Sequence, residues 1–194
     1  LCLNLPAPFN NETIYRQLYI KSLHGQTKDA LAKTQKGAWE YDIVEPGFKC
    51  NMPDIAAAIG LAQFDIYESK MLPERRRVFD AYHAAFSNDK RLICPKYVDG
   101  ETVSSLHLYP LRINNVSLQT RNAIIQRIFD CDVAVNVHFK PIPLLSYYAS
   151  KGFDLENFPI SKKLWEAEIS LPVYASLTPE HVQQVVKAVL SALA

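Results

Sequence analysis

Residues 104–113, SSLHLYPLRI, alternate like a β-strand but carry a proline at position 110. Proline has no N–H to give to a ladder, so such a strand belongs at a sheet edge or carries a bulge. The alternation sets Leu106, Leu108 and Leu111 against His107, Tyr109 and Arg112. The segments that follow limit the sheet further. SLQTRNAIIQRIF predicts a helix, VAVNVHF (residues 133–139) a second strand, and KPIPLLSYYASKGF a turn with a short helix. SKKLWEAEI reads as helix and SLPVY as extended chain. LTPEHVQQVVKAVLSAL predicts a closing amphipathic helix, with Thr178 as cap, Pro179 in the first position and Glu180 in the first turn. The order strand, helix, strand, helices implies an α+β fold, with a small sheet covered by helices.

The first half of the chain is less regular. NNETIYRQLYIKSL has a cap at Asn10 or Asn11, and Ile14, Leu18 and Leu23 with Tyr15 and Tyr19 follow helical spacing. HGQTKDALAKTQKGAWEYDIVEPG is a long connector punctuated by Gly25, Gly37, Pro46 and Gly47, with a short helix expected around residues 28–33. Pro53 and Asp54 suit the first turn of a helix. Ile55, Ala58, Ile59, Ala62 and Ile66 then form an apolar stripe, on a helix slim enough in Ala and Gly for a close neighbour. The helical pattern resumes over residues 71–86, where Pro73 marks a kink or a second start.

Several function classes drop out. Charge is balanced, with 21 Lys+Arg against 20 Asp+Glu, so no nucleic-acid partner is expected. The basic run PERRRVF reads as a solvated helix face. Cys2, Cys50, Cys94 and Cys131 lie far apart, and His24, His83, His107, His138 and His181 lack ligand spacing. Reduced thiols in a cytoplasmic protein without a metal site are the simpler expectation. No apolar run approaches the roughly 20 residues of a membrane span, so no membrane association is expected. The opening LCLNLPAPFN begins in strand-like sequence without methionine, and the chain is expected to be a piece of a longer protein. GxSxG, GxGxxG, P-loop and HExxH are absent from the sequence.

What remains is a loose set of candidates. Lys49 and Asn51 follow Gly47 and precede a helix start, where free N–H groups and side-chain donors suit an anion; an ordinary turn with a surface lysine fits the same residues. His138 ends a predicted strand and His107 lies in another; each also suits a histidine satisfied by the backbone. Phe139, Tyr147, Tyr148 and Phe153 read as packing residues.

In this order, five segments resemble the C-terminal part of the DegT/DnrJ/StrS family of pyridoxal-phosphate-dependent nucleotide-sugar aminotransferases. They are SLHGQ, EPGFKCNMPDIAAAIGLAQF, SLHLYPLRI, VAVNVHFKPIPLLSYY and ISLPVYASLTPEHVQQVVKAV. The resemblance covers nearly the whole chain and implies an α/β sandwich, the small C-terminal domain of a fold-type-I aminotransferase with a short, mostly antiparallel sheet. Residues 1–46 would be the tail of the large domain and a connector. Residues 47–194 would be the small domain, beginning with a long helix.

The resemblance also implies pyridoxal 5'-phosphate as cofactor and a homodimer in which Asn51, with Lys49 second, reaches the cofactor phosphate of the partner subunit. The family often has Asn-x-Arg where this chain has Lys-x-Asn. His138, and less directly His107, would face the nucleotide-sugar. The amino donor would be an amino acid, glutamate by expectation, and the product an amino sugar for surface polysaccharide. The family's Schiff-base lysine would lie before Leu1, so no catalytic residue is expected here and this chain alone is expected to be inactive. Two rivals remain open: a non-catalytic dimerisation or ligand-binding module, and a parent with altered chemistry.

Overall fold

The computed structural model describes residues 3–26 and 42–194, and the helix expected over residues 28–33 lies outside them. The chain divides into two compact units, Leu1–Ala62 and Gln63–Ala194.

In the first unit, α1 (Asn11–Ser22) starts where Asn10 accepts a hydrogen bond from the Thr13 N–H at 2.9 Å. This meets one of the orphan donors of a helix start. The chain leaving α1 is tied to residues 43–50 by backbone bonds. His24 N–H donates to Phe48 O (2.9 Å), Phe48 N–H to Lys21 O (2.7 Å) and Cys50 N–H to Ser22 O (2.9 Å). Two glycines permit this approach. Gly25 has φ +77°, and a Cβ on it would lie 1.8 Å from the Glu45 carbonyl oxygen; a Cβ on Gly47 would lie 2.3 Å from the Gly25 nitrogen. Backbone occupies the space a side chain needs. The helix α2 (Asp54–Asp65) follows, with Ala57 N–H closing its first turn on Pro53 O at 3.0 Å. None of its residues is buried.

In the second unit, a π-helical turn (Tyr67–Met71) leads into α3 (Leu72–Phe86). Pro73 falls in the first turn of α3, where its missing N–H costs nothing. The later elements are β1 (Leu92–Ile93), a β2 (Val98–Asp99) and β3 (Thr102–Val103) hairpin, β4 (Tyr109–Ile113), α4 (Leu118–Phe129), α5 (Ser146–Ala149), α6 (Pro159–Ala167), β5 (Glu168–Leu171) and α7 (Pro179–Ala192). β1, β4 and β5 form an antiparallel sheet in that order. This is the expected α+β class. Tyr109, Leu111, Ile169 and Leu171 face a core shared with α3, α4 and α7. The Tyr109 ring meets Phe79 at 4.7 Å and Tyr82 at 5.2 Å, both edge-on. Burying each such ring stabilises the fold by about 1.5–3 kcal/mol. The Tyr82 hydroxyl donates to Pro172 O at 3.0 Å, and burial pushes its phenol well above the usual tyrosine range.

Three expectations change. The strand predicted from residue 104 begins only at Tyr109, because Leu106 takes a left-handed conformation (φ +56°), its N–H bonded to Ser104 Oγ at 3.1 Å. That turn resets the alternation, so Tyr109 points into the core and Leu108 is half-buried. The strand predicted over residues 133–139 reduces to one bridge, Asn136 to Ser170, because β5 meets that segment at a single residue. Helix α6 ends at Ala167, which places Glu168 in β5.

A further expectation changes at Pro110, which lies not at a sheet edge or a bulge but in the middle strand, in regular register opposite Ser170. Ser170 gives its N–H and C=O to Asn136, so Pro110 faces it across a pair that carries no ladder bond. The proline nitrogen therefore points away from β5, on a side where β1 pairs only with Arg112 and Ile113.

Candidate functional site

Two clusters of polar side chains emerge, one in each unit. In the first unit, the anchored segment around Gly47 delivers Lys49 and Asn51 to the chain just ahead of α2. Lys49 Nζ donates to Asn51 Oδ1 at 2.5 Å, and both residues are exposed. With its oxygen committed, the Asn51 carboxamide keeps its NH2 for another acceptor. The first amides of α2 have no intrahelical acceptor. Ammonium, carboxamide and helix-start amides together fit a phosphate dianion. Asp54 also lies in that first turn, so the Lys49 charge has a carboxylate to outweigh. Phe48 and Met52, 73% and 67% exposed, flank the pair.

In the second unit, a groove of about 390 Å³ opens over the face of the sheet away from the core. Its walls include Pro110, Arg112, His138, Phe139, Trp165 and Glu168. The antiparallel register brings these together, since Pro110 lies opposite Ser170 and Arg112 opposite Glu168. The Glu168 carboxylate accepts from the backbone N–H of His138 through Oε2 (3.0 Å) and from the Ser170 hydroxyl through Oε1. Ser170 Oγ in turn lies 2.8 Å from His138 Nδ1. Arg121, 3% exposed, stacks over the Trp165 ring at 5.6 Å, and its buried Nε has no hydrogen-bond partner among the described residues.

Glu168 is 5% exposed. Burial pushes its carboxyl above the usual range, while the Ser170 hydroxyl, the His138 amide and the charges of His138 and Arg121 oppose that rise. Burial lowers the Arg121 guanidinium, against the pull of Glu168 and Glu166. A carboxylate and a guanidinium thus share one poorly hydrated pocket, each moderating the other's cost.

Lys49 and Asn51 are therefore brought together, and His138 lines a groove. His107 is exposed in the turn after Leu106 and is not among the groove residues. Tyr147, Tyr148 and Phe153 meet edge-on at 5.3 Å and 6.3 Å, but they and Phe139 are exposed, against the expectation that all four pack. Sequence reasoning missed Glu168, Ser170 and Arg121. The alternation Glu-Ile-Ser-Leu was the available signal, hidden by extending the helix before it. Among the described residues, no group of His, Cys, Asp and Glu is placed to hold a metal ion, and no helix is long and apolar enough to cross a membrane.

The family model for DegT/DnrJ/EryC1/StrS aminotransferases matches residues 8–190. This chain belongs to that family. It is similar to MJ1066 of Methanocaldococcus jannaschii (36% identity over 93% of this chain and 47% of that protein). It is also similar to the spore coat polysaccharide biosynthesis protein SpsC of Bacillus subtilis (30% identity, with 93% and 47% covered). Among solved structures, Spr1654 of Streptococcus pneumoniae, provisionally named a sugar aminotransferase, superposes in its PMP form with a TM-score of 0.86 at 43% identity. That match covers 97% of this chain and 47% of Spr1654. The chain spans about half the length of the curated relatives it matches.

Proposed function

We propose that this chain is the C-terminal portion of a pyridoxal-phosphate-dependent aminotransferase that moves an amino group from an amino acid, glutamate, to a keto group of a nucleotide-linked sugar. The product serves amino-sugar and surface polysaccharide synthesis in the cytoplasm. In this reading residues 1–46 complete the large domain and connector, and residues 47–194 form the small domain; the division by packing falls later, inside α2. The observation that carries the reading is the anchored Lys49–Asn51 pair at the start of α2, in a chain of this family.

When bound, the cofactor supplies the electron sink on which an amino group is carried between substrates. The residues here hold and orient. Asn51 and Lys49 donate to the cofactor phosphate of a partner subunit in a homodimer, and the exposed position of both suits a contact across an interface. His138 and Arg112 offer an imidazole and a guanidinium to the nucleotide-sugar in the groove, with His107 more remote. The Schiff-base lysine comes from the parent's other half, so this chain alone does not transaminate.

Asn51→Ala in the complete parent should weaken cofactor retention by about tenfold, the worth of one charge-assisted hydrogen bond. Dialysis followed by absorbance of the retained cofactor reads this directly. Unchanged retention would remove Asn51 from the site. A second reading, a non-catalytic binding module, is favoured by the closed core of the second unit. The mass of the protein made by its source cell separates the two. A heavier chain extended at its N-terminus supports the aminotransferase, and a chain of 194 residues supports the module.

A further inference from the structure

We infer that Ser170 and Glu168 are positioning residues that fix the tautomer of His138, so that its Nε2 is presented as a hydrogen-bond acceptor to a hydroxyl group of the ligand in the groove, while Arg112 takes an anionic group of the same ligand. The ligand class rests on the reading above; the tautomer does not.

Both oxygens of Glu168 accept, Oε1 from the Ser170 hydroxyl and Oε2 from the His138 backbone N–H. An ionised carboxylate takes hydrogen bonds on both oxygens, and the positive charge of the buried Arg121 favours that form against the burial of Glu168. Ser170 has one hydroxyl proton and gives it to Glu168. Toward His138 Nδ1, 2.8 Å away, the serine oxygen can then only accept. The imidazole proton must therefore sit on Nδ1, and in the neutral ring Nε2 carries the lone pair. Carboxylates and hydroxyls set the orientation of working histidines in this way.

Three features direct that lone pair to a ligand rather than to the protein interior. His138 is half-buried and lines the groove, and no protein group bonds its Nε2 among the described residues. The ring is braced edge-on by Phe139 at 4.7 Å. Across the groove Arg112 makes no ion pair among the described residues, although Glu168 is its neighbour on β5. Glu168 is already committed to Ser170 and His138, which leaves the Arg112 guanidinium for an incoming anion. A lone-pair acceptor and a guanidinium beside the Trp165 and Phe139 rings match a hydroxylated, phosphate-bearing ligand.

The test is imidazole ¹⁵N spectroscopy of the 194-residue chain at neutral pH, where the two nitrogens of a neutral ring report which one bears the proton. The wild type should show His138 as the Nδ1–H form. Ser170→Ala and Glu168→Gln should each lose that bias, and Ser170→Thr, which keeps the hydroxyl, should retain it. An Nε2–H ring in the wild type, or an Nδ1–H ring undisturbed in Ser170→Ala, overturns the inference. Ser170→Ala preserves the backbone bonds of β5 and so keeps the test valid if Glu168→Gln fails to fold.

Titration with UDP-N-acetylglucosamine then addresses the ligand. Binding weakened about tenfold by Ser170→Ala, and restored by Ser170→Thr, supports the positioning role. Binding indifferent to Ser170→Ala and to His138→Phe overturns it. A wild type with the Nδ1–H ring and no affinity for the probe overturns the nucleotide-sugar reading of the groove, while the fixed tautomer stands.

Discussion

Helices α2 and α7 are of similar length, 12 and 14 residues, and meet opposite fates. α7 buries Val182, Val185, Ala188, Val189 and Ala192 along one stripe and turns Glu180, Gln183 and Lys187 outward. α2 is apolar on nearly every side, yet Ile55 is 78% exposed and Ile59 57% exposed. A helix with one apolar stripe needs one partner, and α7 finds it in the core of its own unit. A helix apolar all round belongs in an interior, and α2 buries none of its residues. The contrast separates the part of the chain that is stabilised by its own contacts from the part whose sequence is written for further ones.

The strongest way to break that contrast is to damage the self-sufficient side. Phe86 is fully buried, so Phe86→Ala should cost about 3–5 kcal/mol by loss of transfer energy and formation of a cavity. Urea unfolding of the 194-residue chain checks this; a loss under about 1 kcal/mol would mean that the core is loose.

A middle-sized effect sharpens the comparison by pH. The native Glu168 carboxyl is raised by burial. The folded state therefore holds the Glu168 proton more tightly than the unfolded chain does. Its contribution to stability is complete below the ordinary carboxylate range and is lost as pH rises through the raised native value. Glu168→Gln lacks this loss and should gain on the wild type as pH rises above the ordinary carboxylate range, at no more than about 1.4 kcal/mol per pH unit. Parallel stability profiles for the two proteins would place Glu168 in water.

The smallest effect is expected on α2. Ile59→Gln should change stability by no more than about 0.5 kcal/mol, as exposed positions do, while raising solubility. A loss of 2 kcal/mol in the same urea experiment would show Ile59 packed in solution and erase the contrast.

How legible was this in the sequence? Helix starts were, because their signals are local. Asn10 caps α1 and Thr178 caps α7 through their own side chains, with Pro179 in the first turn. The strands were less so. A left-handed Leu106 is not encoded by leucine, since only the packing around it holds φ positive, and one such residue moved Tyr109 from the outer to the inner face. The bridge at Asn136 depends on where β5 lies, which no local pattern states. In the candidate site, Lys49, Asn51 and His138 stood out by their places at a helix start and a strand end, and the resemblance supplied their roles. Glu168 and Ser170 stayed hidden because helix and strand meet at Ala167 without a glycine or proline to mark the change. Arg121 looked like any charge on an amphipathic helix; its burial depends on Trp165 and Glu168, which are distant in sequence.

Pro110 has a consequence for how this sheet can grow. An open strand flank recruits other strands, from the same chain or from a neighbour, and proteins guard against that. Here the guard is a missing hydrogen atom. Beyond Arg112 the flank of β4 has no N–H at Pro110 to offer a newcomer, so β1 cannot zip further along it and a foreign strand finds no grip. Pro110 and Pro95 both line the groove, so the residue that ends pairing also holds the entrance open. Valine at position 110 would restore the donor, and β-structure could then extend along β4 and close the groove.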